Sequence, residues 1–221
     1  MFGKNEKLGP DKNDGTSLYI HKIFPTIQGE GPRAGQPAIF IRLSGCNLAC
    51  SFCDTDFEDF NLMTASEIVK KVDSYNDNGA VSLIIITGGE PMRQNLLPLL
   101  EQLIDKNYQC QIESNGTLFR PLPAGVEIIC SPKVVLDKYI KPDPRLLSRI
   151  TAFKFLISSN ISQYHKVPEL GQRQHNIEVF VQPMDEYDAT INNTNNKLAV
   201  NLCLTEGYRL SCQIHKYLDI E

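Results

Sequence analysis

Short apolar segments separated by polar turns recur along the chain and predict the strands of an α/β protein. Residues 18–23 alternate apolar and polar side chains, as a half-buried strand does. Residues 81–86 are almost entirely apolar and rich in β-branched side chains, a pattern typical of a strand buried on both faces of a parallel sheet. Similar segments predict further strands at residues 38–43, 109–113, 126–130, 153–157 and 177–181, and a last strand at 198–203.

Two segments have the apolar spacing of helices. Thr64 can cap the first of them, and Glu67 three residues later completes a capping box. The second helix is predicted over residues 95–106. Residues 1–16 are polar and lack periodicity, so we predict a flexible N-terminal tail followed by a single domain over residues 17–221.

The turns after the predicted strands share a polar, glycine-containing or proline-containing composition. Parallel α/β sheets and barrels gather their active sites at the ends of their strands. Roughly six strands that end in such turns are too few for a closed eight-stranded barrel, so the pattern predicts an α/β protein with a partial, open β/α barrel. The turns are Thr87-Gly-Gly-Glu-Pro, Ser114-Asn-Gly-Thr, Ser131-Pro-Lys and Gln182-Pro-Met-Asp.

Composition narrows the range of partners. The chain has 221 residues and a net charge of -4 without a basic run, which argues against nucleic acid as a direct partner. It has neither an apolar stretch of transmembrane length nor the apolar core of a signal peptide. Seven cysteines, an odd number, favour reduced thiols and a cytoplasmic location over a disulfide framework. Four of them are predicted to be buried packing residues, namely Cys110, Cys130, Cys203 and Cys212.

The other three cysteines form a C-x3-C-x2-C motif at Cys46, Cys50 and Cys53. Thiolates are soft ligands suited to iron–sulfur clusters or zinc, and closed sites of either kind use four protein ligands. Three thiolates would hold three corners of a [4Fe–4S] cluster and leave one iron open for chemistry. Chance crowding, or a zinc site completed by a histidine, is the alternative, although the next histidine in the chain is His165.

The cysteine spacing resembles the signature loop of the radical S-adenosylmethionine (SAM) enzymes. In that superfamily SAM chelates the open iron, and one electron cleaves it to methionine and a 5′-deoxyadenosyl radical. Thr87-Gly-Gly-Glu-Pro resembles the superfamily motif that receives the amino group of SAM. The resemblance implies a partial β/α barrel of the radical SAM type.

Three further motifs closely resemble the 7-carboxy-7-deazaguanine synthase family within that superfamily, over residues 18–221. They are Ile27-Gln-Gly-Glu-Gly, Phe40-Ile-Arg-Leu-Ser-Gly-Cys and Cys53-Asp-Thr. This resemblance implies a lyase of queuosine biosynthesis that converts 6-carboxy-5,6,7,8-tetrahydropterin to 7-carboxy-7-deazaguanine, with loss of ammonia and regeneration of SAM. It also implies a Mg2+ ion, a homodimer and an electron donor such as flavodoxin.

The residue types suit a small pterin that carries a carboxylate. Arg42 offers a planar, bidentate, permanently charged partner for that carboxylate. We predict that it is catalytic, together with the three cysteines. The alternative is that Arg42 forms an ion pair with an acidic residue at the end of its strand. Gln28 and Glu30, with the backbone of Ile27 and Gly29, can read the donor and acceptor edge of the pterin. The resemblance adds the substrate contacts Thr87, His215 and Glu221.

The remaining assignments rest on the resemblance alone. Thr55, otherwise a turn residue, becomes a Mg2+ ligand. The predicted SAM-binding residues are Phe52, Asp54, Gly89, Glu90, Ser114, Ser131, Pro132, Lys133, Gln182, Pro183, Met184 and Asp185. Two other functions stay open. One is a glycyl-radical activating enzyme, in which the Gln-Gly-Glu-Gly motif would have no role. The other is a non-catalytic iron–sulfur electron carrier, in which the Gly-Gly-Glu-Pro motif would have no role.

Overall fold

The computed structural model describes residues 6–53, 55, 57 and 59–221. The chain divides into two units. Unit 1 contains the described residues of Met1–Gln28, Gln36–Ser114 and Leu118–Ile128, and unit 2 contains Gly29–Gly35, Asn115–Thr117 and Ile129–Glu221. The single domain predicted from the sequence thus contains two units, each built from more than one segment of the chain.

Unit 1 is built around a mixed sheet with the order β3-β1-β2-β4-β5. The three strands β2, β4 and β5 are parallel, whereas β1 pairs antiparallel with both β2 and β3. All four residues from Leu83 to Ile86 are buried, as their apolar run predicts. The strands are β1 (Ser17–Ile27), β2 (Pro37–Leu43), β3 (Asn61–Thr64), β4 (Leu83–Gly88) and β5 (Gln109–Ser114).

Two helices pack in unit 1, α1 (Ala65–Ser74) and α2 (Leu97–Asp105). The predicted capping box of α1 is confirmed: the Glu67 backbone N–H donates to Thr64 Oγ1 at 3.2 Å, and the Thr64 N–H donates to Glu67 Oε2 at 2.8 Å. A cap of this kind contributes about 0.5–2 kcal/mol to helix stability. The buried sides of both helices carry Ile, Val and Leu residues, which contribute to the core.

Unit 2 contains the last two residues of β6 and a parallel arrangement with the order β6-β9-β10-β11. Its core includes a cluster of Ile129, Ala152 and Phe180. The strands are β6 (Glu127–Cys130), the hairpin pair β7 (Val134–Val135) and β8 (Lys138–Tyr139), β9 (Ala152–Ile157), β10 (Glu178–Pro183) and β11 (Arg209–Leu210). The helices are α3 (Gln172–His175), α4 (Ala189–Glu206) and α5 (Ile214–Leu218).

The predicted last strand, residues 198–203, is wrong, because these residues belong to α4. Asp188 caps this helix by accepting from the backbone N–H groups of Thr190 and Ile191, and Gly207 ends it with a φ of 74°. A short apolar run cannot be assigned to strand or helix by composition alone. Here the run lies inside a longer helix whose capping residue stands outside it.

The four cysteines predicted to be buried differ in their surroundings. Cys110 and Cys130 are buried, but Cys203 is half-buried and Cys212 is exposed, so the prediction is wrong for the last two. Cys203 lies on α4 and Cys212 lies between β11 and α5, where few apolar side chains cover the chain.

Residues 6–14, which we call the N-terminal strap, bond to the rest of unit 1 although their composition predicts a flexible tail. The Leu8 N–H donates to the Cys46 carbonyl at 2.8 Å, and the Asp11 N–H donates to the Arg93 carbonyl at 2.8 Å. Asn95 Nδ2 donates to the carbonyl of Asp14 at 2.6 Å. The strap therefore reaches the loop that carries the cysteine motif.

Candidate active site

The three motif cysteines lie in the loop after β2, and all three are half-buried. The Cys53 N–H donates to the Cys50 carbonyl at 3.1 Å, and the Leu48 N–H donates to Cys46 Sγ at 3.4 Å. Burial raises the pKa of the Cys46 thiol to about 12, and the neighbouring Glu90, Cys50 and Cys53 add to the shift. Over the described ranges, no three Cys, His, Asp or Glu side chains are arranged to hold a metal ion.

The chemistry of this donor set fits an iron–sulfur cluster. A bare thiolate is unfavourable at Cys46 because the site is poorly hydrated and close to other thiols and a carboxylate. A bound metal ion reverses that balance, because its charge stabilises the thiolate. Three soft ligands within one loop can therefore hold three irons of a cubane cluster, as the sequence predicts.

Two glycines allow the end of β4 to lie against the cysteine loop. A Cβ at Gly88, whose φ is 134°, would collide with the backbone of Leu43, and a Cβ at Gly89 would collide with the Gly45 carbonyl. The Gly89 N–H donates to the Leu43 carbonyl at 3.2 Å, and the Glu90 N–H donates to the Gly45 carbonyl at 3.0 Å. The Gly-Gly-Glu-Pro turn is thus built into the backbone of the loop that carries Cys46.

The next two predicted SAM residues, Glu90 and Ser114, contact each other at the ends of β4 and β5. Glu90 is fully buried, and its Oε1 accepts from Ser114 Oγ at 2.8 Å and from the Met92 N–H at 2.9 Å. These bonds fix the orientation of the carboxylate. A buried, oriented carboxylate is a suitable partner for an ammonium group.

The predicted substrate residues of unit 1 lie on β1, β2 and β4 or, for Gln28, directly after β1. Arg42 and Thr87 are register partners across β2 and β4, and the Arg42 guanidinium lies 5.5 Å from the centre of the Phe24 ring. Gln28 is buried, and its Nε2 donates to Glu113 Oε1 at 3.3 Å. Sequence reasoning did not select Glu113, although an acidic residue at the end of a buried strand is a signal for it.

The other predicted site residues of unit 1 lie at the end of β1 and in or beside the cysteine loop. Ile27 ends β1, and Phe52 is half-buried in the turn between Cys50 and Cys53. Thr55 is half-buried, and its carbonyl accepts from Cys53 Sγ at 3.5 Å. Asp54 lies outside the described residues.

In unit 2 the predicted substrate residue Glu30 forms a buried ion pair. Its Oε2 lies 2.6 Å from Lys154 Nζ, and its Oε1 accepts from Gln213 Nε2 at 2.9 Å. Burial by itself would raise the pKa of Glu30, but the Lys154 charge and the hydrogen bonds from Lys154 and Gln213 outweigh it and lower the pKa to about 2. The carboxylate is therefore ionised at neutral pH and acts only as an acceptor.

Gly29 and His215 pack directly against each other beside this pair. A Cβ on Gly29 would collide with the His215 ring, and the Ile214 N–H donates to the Gly29 carbonyl at 3.1 Å. Two more bonds extend the same cluster: Gly31 N–H donates to Ser211 Oγ at 2.9 Å, and Ser211 Oγ donates to Gln182 Oε1 at 2.8 Å. The structure thus brings Gly29, Glu30, Gln182 and His215 together.

The end of β10 connects to α5 through a second ion pair. Asp185 Oδ2 lies 2.9 Å from Lys216 Nζ, and Asp185 Oδ1 accepts from Asn192 Nδ2 at 2.8 Å. Burial raises the pKa of Asp185, but these bonds and one from the Tyr187 N–H lower it overall. Of the neighbouring predicted residues, Pro183 ends β10 and Met184 is buried.

The remaining predicted residues of unit 2 lie apart from this cluster in the chain. Lys133 Nζ donates to Ser131 Oγ at 2.6 Å and to the Ser131 carbonyl at 2.8 Å, around the buried Pro132. Glu221 is exposed beyond α5.

Two residues that sequence reasoning missed, Lys154 and Gln213, complete the surroundings of Glu30. Lys154 could have been found, because a lone lysine in an apolar strand is rarely buried without a partner.

Comparisons with known proteins relate the whole chain to one group. The profile of the Radical SAM superfamily matches residues 40–136. The 7-carboxy-7-deazaguanine synthase of Rickettsia prowazekii (strain Madrid E) is 52% identical over 225 residues, which cover 100% of this chain and 96% of that protein. The synthase of the same name from Rhodospirillum rubrum is 39% identical over 240 residues, which cover 100% of both chains.

A solved structure has the same fold. The crystal structure of QueE from Escherichia coli matches with a TM-score of 0.76 at 23% sequence identity, over 92% of this chain and 99% of that one. Together with the superfamily match, it confirms the predicted α/β class and the partial, open barrel of the radical SAM type. No helix in the ranges that the structure describes is long and apolar enough to cross a membrane.

Proposed function

The chain belongs to the 7-carboxy-7-deazaguanine synthase family of radical SAM enzymes, and from this premise we propose the reaction that it catalyses. It is a carbon–nitrogen lyase that converts 6-carboxy-5,6,7,8-tetrahydropterin to 7-carboxy-7-deazaguanine with loss of ammonia, in queuosine and 7-deazapurine biosynthesis. The observation that carries this function is the 52% identity to the Rickettsia prowazekii synthase over the whole chain. Similarity of that extent sets aside the glycyl-radical activating enzyme and the electron carrier.

Cys46, Cys50 and Cys53 are the residues that would hold the [4Fe–4S] cluster. A cluster held there would supply the electron for reductive cleavage of SAM, the chemistry by which the family starts its reaction on the substrate. Glu90 would receive the SAM amino group, because Ser114 and the Met92 N–H hold its carboxylate in one orientation.

The other residues proposed for SAM are carried over from the family resemblance. Gly89 supplies a backbone without a side chain beside the cysteine loop. The full set is Phe52, Asp54, Gly89, Glu90 and Ser114 in unit 1, and Ser131, Pro132, Lys133, Gln182, Pro183, Met184 and Asp185 in unit 2.

The substrate contacts are proposed from charge and hydrogen-bonding capacity. Arg42 would bind the pterin carboxylate through its planar guanidinium. Glu30, kept ionised by Lys154 and Gln213, would accept from the N–H groups of the aminopyrimidinone ring. Gln28 adds an amide, and the remaining proposed contacts are Ile27, Gly29, Thr87, His215 and Glu221.

Four further properties are proposed on the family resemblance. They are a Mg2+ ion, a homodimer, a flavodoxin-type electron donor and a cytoplasmic location. The odd number of cysteines, three of them in one motif, supports a reducing compartment.

Anaerobic protein reconstituted with iron and sulfide should convert the carboxytetrahydropterin when SAM and a reductant are supplied. We expect 7-carboxy-7-deazaguanine and ammonia in equal amounts, and SAM recovered after many turnovers, measured by liquid chromatography with mass detection. Omission of SAM is the control and should stop the reaction. Cleavage of SAM with no deazaguanine product would contradict the proposed function.

Removal of the Thr55 hydroxyl should remove the response of the enzyme to Mg2+. Thr55 follows the cysteine loop, and an ion bound there could orient the substrate, a kind of positioning whose loss costs about 100-fold in rate. We therefore expect Thr55→Ala to lower kcat and to flatten its dependence on Mg2+, with normal iron content. Thr55→Ser keeps the hydroxyl and should respond as the parent does. An unchanged Mg2+ response in Thr55→Ala would show that Thr55 is a turn residue only.

A further inference from the structure

Arg93 carries a buried positive charge beside the cysteine loop. The residue is 7% exposed, and within the described part of the chain no carboxylate forms an ion pair with it. Its Nη1 donates to the Gly9 carbonyl and its Nη2 to the Ser44 carbonyl, each at the long distance of 3.4 Å. Its buried Nε has no hydrogen-bond partner among the described residues. The guanidinium carbon also lies 6.0 Å from the centre of the Tyr19 ring, a distance at which the attraction is weak. A guanidinium buried with these few weak contacts needs an explanation.

The guanidinium packs on the residue that precedes Cys46. A Cβ on Gly45 would come within 2.8 Å of Arg93 Nε and of Nη2, so the absence of a side chain at Gly45 makes room for the charge. Gly45 has a φ of 82°, a backbone conformation that suits glycine. The Gly45 carbonyl in turn accepts from the Glu90 N–H at 3.0 Å. Arg93 is thus part of the packing that fixes the start of the cysteine loop.

The backbone of Arg93 holds the N-terminal strap. Its carbonyl accepts from the Asp11 N–H at 2.8 Å and from Arg120 Nη2 at 2.8 Å. Arg120 also donates to the carbonyls of Met92 and Asp11, so it fastens the strap, and among the described residues none of its hydrogen bonds reaches the cysteine loop. The side chain of Arg93 and the side chain of Arg120 can therefore be varied separately.

We propose that Arg93 is a positioning residue whose buried charge favours the reduced form of the cluster. The inference rests on the cluster proposed above for Cys46, Cys50 and Cys53. Three thiolates give the cluster a net negative charge, and the electron from the reductant makes it more negative without a proton or a bond being exchanged. A fixed positive charge nearby in a poorly hydrated site stabilises the reduced state more than the oxidised one.

Potentiometric titration of the reconstituted protein, followed by electron paramagnetic resonance, measures this effect without turnover. At a fixed solution potential, Arg93→Met and Arg93→Gln should each lower the ratio of reduced to oxidised cluster at least tenfold, which is 59 mV for one electron. Arg93→Lys keeps the charge and should stay close to the parent. Two neutral variants are used so that one of them provides the measurement if the other folds poorly.

Arg120→Met is the matched control for packing. It should loosen the strap, seen as faster proteolytic cleavage at Lys7 or Lys12, while the cluster potential stays at the parent value. Equal potentials in the parent and in both neutral Arg93 variants would overturn the inference. It would also be overturned if Arg120→Met shifted the potential as far as Arg93→Met, because packing would then explain the shift. A parent protein that binds no iron would overturn the cluster itself, and the proposed function with it.

Discussion

Cys50→Ala is expected to lose the iron–sulfur cluster and all turnover while keeping the fold. A cubane cluster with one open iron needs all three thiolates of the loop, and Ala removes one of them. Cys50 lies in a half-buried loop outside the strands and helices, so the substitution leaves the core of unit 1 intact. Iron and sulfide analysis, the visible spectrum of the cluster and the product assay measure the loss, and circular dichroism checks the fold.

Two other cysteines provide the controls. Cys212→Ala alters an exposed thiol, and its effect on the free energy of unfolding should stay within about 0.5 kcal/mol. Cys110→Ala alters a buried thiol on β5 and should cost roughly 1–2 kcal/mol without loss of iron. A Cys50→Ala protein with the full content of iron and sulfide, and with parental activity, would refute the cluster assignment.

Lys154→Met should destabilise the protein by about 3–5 kcal/mol, because it removes the cation that pairs with the buried Glu30 carboxylate. The side chains of Lys154 and Glu30 are 8% and 17% exposed and lie 2.6 Å apart. Chemical denaturation followed by circular dichroism gives the change in the free energy of unfolding. The double variant with Glu30→Gln removes the charge as well and should recover much of the loss, although it should not restore substrate binding.

An ion pair of the same length on the surface serves as the comparison. Arg209 and Glu178 also lie 2.6 Å apart, but their side chains are 60% and 45% exposed. Arg209→Met should therefore cost at most about 1 kcal/mol. If Lys154→Met cost no more than Arg209→Met, burial of the Glu30 pair would have no energetic consequence and the prediction would be wrong.

The same pair sets a dependence of stability on pH. The pKa of Glu30 in the folded protein is about 2, below the 4.5 of an ordinary glutamate, so between these values the unfolded chain binds the proton more readily. The stabilisation is complete above pH 4.5 and is lost as the pH falls toward 2. Glu30→Gln should therefore show a weaker loss of stability than the parent across this acid range.

The parts of the fold that the sequence predicted are those with local determinants. The capping box of α1 lies within four consecutive residues, and the buried strand β4 is a single apolar run. The Gly-Gly-Glu-Pro turn follows that strand directly. Such features depend on near neighbours in the chain, which a sequence pattern can reveal.

The parts that the sequence did not predict depend on distant residues. Glu30 was selected for its carboxylate, but its partners Lys154 and Gln213 are 124 and 183 residues away in the chain. The bonds of the N-terminal strap depend on the carbonyls of Cys46 and Arg93, which composition cannot foresee. A polar segment indicates a flexible tail only where the folded surface offers no hydrogen-bond partners to the backbone of that segment.

The bond between Glu30 and Gln213 also limits when unit 2 can be completed during synthesis. Residues 29–35 are synthesised long before Gln213, and the bond cannot form until Gln213 has been made. At roughly 5–20 residues per second, the 183 residues between the two partners take about 10–40 s to synthesise. Throughout that interval the Glu30 carboxylate lacks one of its hydrogen bonds, so the site stays incomplete until Gln213 has been synthesised.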